Sequence, residues 1–180
     1  LGILTISLGI AMLVPFIAEL NTSGQNKNNF LVCILLLLFV GTTLILAFKK
    51  EEKKINVKDT ILITVLSWPL IILFSSLPFY LDNNNEKFID AIFEATSGLT
   101  TTGATIYNNV EYLSKGLLIW RALLQWLGGL GIIIFAIAII PIFNIGGIKL
   151  FTQDWNEKPR DLQYRPKEIA KLLGIIYLSF

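Results

Sequence analysis

Four stretches of this chain carry no charged side chain: Leu1 to Ala18, Phe30 to Phe48, Thr60 to Leu81 and Ala122 to Ile148. Wound as α-helices at 1.5 Å per residue they reach roughly 27 to 40 Å, and the hydrocarbon core of a bilayer is about 30 Å thick. A soluble domain would interrupt such runs with a polar face. With 54% hydrophobic residues against 16% charged, there is also little polar surface to cover a water-soluble core. In lipid every backbone polar group must be satisfied within its own segment, so the runs are predicted to be helices. The expected fold class is therefore an all-α polytopic membrane protein.

The charges between the runs report orientation. Lys49, Lys50, Lys53, Lys54 and Lys58 lie in one connection, and Lys149, Lys158, Arg160, Arg165 and Lys167 in another. The alternate connections hold only Lys27 in one case and Lys87 with Lys115 in the other. The excess of Lys and Arg on cytoplasmic loops then sets the amino terminus in the cytoplasm. A net charge of +2 without a basic, aromatic-interleaved patch argues against a nucleic-acid partner. There is no histidine, and the lone Cys33 sits in an apolar run as a small hydrophobe, which excludes His-based triads and the usual transition-metal sites. Asp90 and Glu94 share a helical face, but no nucleophile, ligand set or phosphate loop accompanies them, so neither an enzyme nor a cofactor is expected. Leu1 to Leu20 lacks the basic region and cleavage site of a signal peptide and reads as a span. The chain starts without methionine and stops within the apolar "LLGIIYLSF", so it is expected to be a fragment.

Three segments follow. Residues 1–56 read as a transmembrane hairpin and a cytoplasmic loop, with Pro15 kinking the first span near its outer end and the polar "NTSGQNKNN" as the turn. Asn21, Thr22 and Ser23 match a glycosylation sequon, too close to the membrane to expect use. Residues 57–148 hold a span broken by Pro69 and Pro78, a short apolar helix from Phe88 to Ser97, a polar loop, a return from Tyr107 to Ser114, and a last span from Leu117 to Ile140. Residues 149–180 read as a cytoplasmic loop and the start of a further helix, Ile169 to Phe180. The ten residues from Phe88 to Ser97 make a helix of about 15 Å, half a crossing, so this element is predicted to enter the membrane part way and return.

The loop it leads into is "TSGLTTTGATIYNN". Irregular polar backbone at membrane depth is tolerated only where protein encloses it or it lines water. Carbonyl oxygens turned to a common axis can replace the hydration shell of a cation, which supplies a reason for such a loop. Thr100, Thr101 and Thr102 are β-branched and favour extended backbone, and their hydroxyls can bond the loop's own scaffold. Gly103 can adopt φ values closed to other residues and so turn a neighbouring carbonyl. The carboxyl end of the short helix, near Ser97 and Gly98, adds a field that favours a cation.

"FEATSGLTTTGATI" followed by "WRALLQWLGGLGIIIFAIAIIPIFNIGGIKLF" resembles the first pore unit of the Trk-type potassium uptake proteins, the TrkH family, and the resemblance covers nearly the whole chain. It implies a helical hairpin, one helix–pore-loop–helix unit and the start of a second. Three further units are needed to complete one potassium pathway. It also implies a homodimer in the bacterial cytoplasmic membrane and a cytoplasmic nucleotide-binding regulatory subunit. Potassium is then the cargo, passing dehydrated through carbonyl rings down its electrochemical gradient. Carried over by position, Thr101 and Thr102 coordinate potassium, Gly103 is the filter glycine, and Thr100 and Ala104 flank them as support.

Other residues keep two readings. Arg121 is either a snorkelling side chain at the outer interface or the partner of Glu94, or of Asp90 one turn earlier, pinning the short helix to the last span. Trp120 and Trp126 read as interface anchors, "LGGLG" at Leu127 to Gly131 as a place of close helix approach or flexibility, and "NIGGIK" at Asn144 to Lys149 as a helix end. The rival to transport is a non-conducting membrane scaffold whose re-entrant loop packs against a partner.

Overall fold

The structure is a computed structural model and describes residues 1–21, 26–48, 57–82, 87–145 and 175. Both basic connections lie largely outside the described residues, as do Thr22 and Ser23 of the sequon, Gly146 to Lys149, and the start of the further helix apart from Ile175. The chain divides into two compact units, Leu1–Gln125 and Trp126–Phe180.

Among the described residues all regular structure is helical: α1 (Gly2–Ala11), α2 (Leu13–Asn21), α3 (Lys27–Ala47), α4 (Val57–Tyr80), α5 (Phe88–Leu99) and α6 (Lys115–Ile145), with a 3-10 turn at Val110–Tyr112. The first apolar run is two helices rather than one. Pro15 has no N–H for the carbonyl of Ala11 and its ring crowds that oxygen, and the helix is interrupted at Met12, in the turn before the proline.

The segments Gly2–Asn21 and Lys27–Ala47 are each long and apolar enough to cross a membrane. Ile3, Leu35, Phe39 and Leu46 are exposed on them, as lipid-facing side chains would be. On the facing side α1 meets α3 closely: a Cβ built on Gly41 would stand 2.5 Å from Ile6 Cγ1 and 2.7 Å from Thr5 Oγ1. Without a hydrophobic drive between helices in lipid, close packing at small residues is what holds such a pair.

α4 contains both Pro69 and Pro78. Pro78 leaves the Phe74 carbonyl without its usual donor, and the next carbonyl, that of Ser75, accepts a hydrogen bond from Trp120 Nε1 at 3.0 Å. Trp120 is fully buried, so its reading as an interface anchor is corrected: the indole joins α6 to α4, where the sequence alone suggested a headgroup contact.

α5 has 12 residues, two more than predicted, and at about 18 Å is still too short to cross a bilayer. At its start the Phe88 ring meets that of Tyr80, at the end of α4, edge to face, 5.3 Å between centroids. Ala91, Ala95 and Leu99 on α5 are buried in one cluster with Phe79 of α4, Leu117, Trp120 and Leu124 of α6, and Met12, Phe30, Cys33 and Leu37 of the hairpin. Gly98 allows a close approach to α6, since a Cβ there would lie 3.0 Å from Leu124 Cβ. The "LGGLG" string is helical, within α6 and in the second unit.

Candidate functional site

The end of α5 determines how the polar loop starts. Thr101 has φ 57°, in the left-handed region. Its N–H donates to the Gly98 carbonyl at 3.0 Å, and that of Thr102 to the Ser97 carbonyl at 3.0 Å. These are the two return bonds of a helix terminated by a left-handed residue, a position glycine normally fills. A β-branched residue there is under steric strain. Thr101 therefore departs from the extended backbone its residue type suggested, because capping the helix outweighs its local preference.

Gly103 follows with φ 75°, and a Cβ at this position would meet nothing within 4 Å. Left-handed residues at alternate positions break the side-to-side alternation of carbonyls found in a strand. Among the described residues no hydrogen bond is made to the carbonyl oxygens of Thr101, Thr102 or Gly103. The Ala104 carbonyl is different: it accepts from Ser97 Oγ at 2.6 Å and so turns back towards α5. Thr100 Oγ1 donates to the Thr96 carbonyl at 2.8 Å and lies 2.8 Å from Thr102 Oγ1. The side chains from Thr100 to Ile106 are otherwise exposed.

The returning limb is tied down by Glu94, which is fully buried on α5. Its Oε1 accepts from Thr105 Oγ1 at 2.6 Å and from the Ile106 N–H at 2.7 Å. Thr105 Oγ1 in turn accepts from the Tyr107 N–H at 3.1 Å. Oε2 of Glu94 stands 3.1 Å from Arg121 Nε, a contact of charge rather than an aligned hydrogen bond. Arg121 keeps 12% side-chain exposure, so it is inside the fold and not snorkelling. Asp90, the other possible partner, caps its own helix by accepting from the Lys87 N–H at 3.3 Å.

The structure thus gathers Glu94 and Arg121 with Thr100 to Ala104 around one loop. Sequence reading missed several contributors. Ser97 and Thr105 are hydroxyl residues among others in the same string, and nothing in their spacing says which carbonyl or carboxylate they meet. Glu19 is the larger omission. It stands where the first charge-free run ends, which reads as an ordinary loop charge, yet it is fully buried and its Oε1 accepts from the Gly116 N–H of α6 at 2.8 Å.

Comparison with known proteins is consistent across sequence and structure. Residues 26–180 match the model of the TrkH family, described as a cation transport protein. The chain is 36% identical over 99% of its length to the Trk system potassium uptake protein TrkH of Vibrio parahaemolyticus, covering 37% of that protein. It is 34% identical over 98% of its length to the protein of the same name from Escherichia coli K12, again covering 37% of it. The crystal structure of the potassium transporter TrkH from Vibrio parahaemolyticus superposes with a TM-score of 0.80 at 36% identity, over 99% of this chain and 35% of that one. The chain spans little more than a third of the relatives it matches, and by family model, sequence and fold it belongs to the TrkH family.

Proposed function

We propose that this chain supplies one pore unit, residues 57–148, of a potassium uptake protein, together with the hairpin of residues 1–56 and, in residues 149–180, the approach to a second unit. In this reading Thr101, Thr102 and Gly103 present oxygens to dehydrated potassium. Thr100, Ala104, Glu94 and Arg121 hold them in place. The ion is cargo and moves down its gradient, and the negative end of the α5 dipole favours it at the loop.

The observation that carries this reading is the paired left-handed backbone at Thr101 and Gly103, in a loop bound on both limbs to a half-length helix. Strained backbone persists only where its surroundings hold it, and carbonyls released from the fold's own hydrogen bonds are what a cation filter requires. The names of the relatives, all potassium uptake proteins, agree. By the family resemblance three more units complete the pathway, two polypeptides pair and a cytoplasmic nucleotide-binding regulator attaches; by the loop charges the amino terminus faces the cytoplasm.

The test is growth of a potassium-uptake-deficient bacterium at limiting potassium, with this chain in a polypeptide of its relatives' full length. Growth should be restored, and Gly103→Val should abolish it at near-normal abundance, because a side chain at φ 75° costs about 1–2 kcal/mol whatever the space around it. Unchanged uptake and unchanged potassium preference in Gly103→Val would remove the loop from the pathway and favour a non-conducting scaffold.

A further inference from the structure

Glu19 is a carboxylate with no exposed surface, on a hairpin that has no part in the filter loop. Taking a carboxylate out of water is expensive, and a helix start can be capped by neutral groups. Here a neutral cap is already present: Ser114 Oγ accepts from the Leu117 N–H at 3.3 Å, and the Ser114 carbonyl from the Leu118 N–H at 3.0 Å. Glu19 nevertheless reaches from α2 to accept from the Gly116 N–H at 2.8 Å. The site is shaped for it: a Cβ on Gly116 would lie 2.5 Å from Glu19 Cγ and 2.7 Å from its Oε1.

The hairpin grips the same region with neutral groups. Asn26 Nδ2 donates to Asp82 Oδ1 at 2.7 Å and to Ser114 Oγ at 3.2 Å, and Asn29 Nδ2 donates to the Leu81 carbonyl at 2.6 Å. The end of α4 and the start of α6 are therefore both held by the hairpin. From Gly116 it is five residues, about 7.5 Å along α6, to Arg121. Arg121 meets Glu94, and Glu94 holds Thr105 and Ile106 of the returning limb.

We propose that Glu19 is a positioning residue for the filter: it fixes the start of α6 and, through Arg121 and Glu94, the returning limb of the loop. Glu19 lies outside the residues matched by the family model, which begin at 26. The hairpin then serves the pathway as well as anchoring the chain. The proposal rests on the filter reading above.

The experiment uses the polypeptide of full relatives' length in the uptake-deficient bacterium, reading membrane abundance, KM for potassium and preference for potassium over sodium. Glu19→Ala should shift KM or preference by about 2- to 30-fold, the range seen for residues coupled through a contiguous network. Gly116→Ala should reproduce that shift, since its added methyl falls closest on Glu19 Cγ and Oε1, with the Phe30 ring next at 2.9 Å, and removes neither bonded group. Glu19→Gln keeps an oxygen for the Gly116 N–H and should rescue most of the loss. Gly41→Ala, a packing defect between α1 and α3, is the comparator and should lower abundance while the remaining protein keeps its KM and preference.

If Glu19→Ala and Gly116→Ala behave as Gly41→Ala does, Glu19 is structural only and the proposal is wrong. A Glu19→Gln protein as impaired as Glu19→Ala would also overturn it. Should Glu19→Ala fail to accumulate, Gly116→Ala and Glu19→Gln decide the matter by themselves. Gly103→Val run alongside separates the two levels: altered transport there with normal kinetics in both Glu19→Ala and Gly116→Ala sinks this proposal alone, and normal transport in Gly103→Val sinks the filter reading and this one with it.

Discussion

Thr101 is where local preference and site geometry conflict. Its left-handed φ of 57° terminates α5 and begins the turn of the loop, at a cost of about 1–2 kcal/mol for a residue with a Cβ. Glycine would adopt the angle freely but would also leave the loop free to adopt others. Thr101→Gly is therefore expected to keep or slightly raise the thermal stability of the full-length protein while reducing its discrimination between potassium and sodium. Thermal unfolding in detergent, paired with flux in each ion, checks both halves. A loss of stability with unchanged discrimination would mean that the threonine side chain, and not the backbone it constrains, matters here.

α5 is too short to hold itself in place, and its neighbours do so. The Glu94–Arg121 contact joins it to α6, and breaking a buried pair by removing one partner costs about 3 to 5 kcal/mol when the remaining charge is stranded. Arg121→Gln is expected near the lower end, because Glu94 keeps its bonds to Thr105 and Ile106. Adding Glu94→Gln should recover part of the loss in transport and thermal stability, and strictly additive effects in that cycle would show that the two residues act separately. Trp120 joins α6 to α4, and Trp120→Phe, which loses the donor to Ser75 and also part of the buried indole, should cost more than the about 0.5–1.5 kcal/mol of a hydrogen bond alone. Chemical denaturation checks this, with Trp120→Leu, which loses the aromatic ring as well, expected to cost more.

For the whole molecule, the expected orientation follows from charges that lie largely outside the described residues. Cysteines introduced singly at Lys53 and Asn84, in a Cys33→Ala background, report it directly. A membrane-impermeant thiol reagent added to intact cells should label position 84 and spare position 53. The reverse pattern would invert the topology and place the loop on the cytoplasmic side. Cys33 is buried in the core, so its removal calls for a check of abundance before labelling is interpreted.

The sequence alone determined that the chain is helical and built for lipid, because apolar runs of bilayer length admit few other solutions. It also showed that one helix is too short to cross and leads into a polar, glycine-bearing loop, since length and residue type are local properties. The expectation that Arg121 could meet Glu94 came from the scarcity of charge in α6, and the choice over Asp90 required coordinates. Only the tertiary structure decided that Thr101 is left-handed, that Ser97 turns the Ala104 carbonyl back, that Trp120 is a buried donor and that Glu19 reaches Gly116. Each of these depends on which groups meet across a distance, as Glu19 and Gly116 do from far apart in the chain. A buried carboxylate and a loop carboxylate look alike in sequence, and what separates them is a neighbour that only packing supplies.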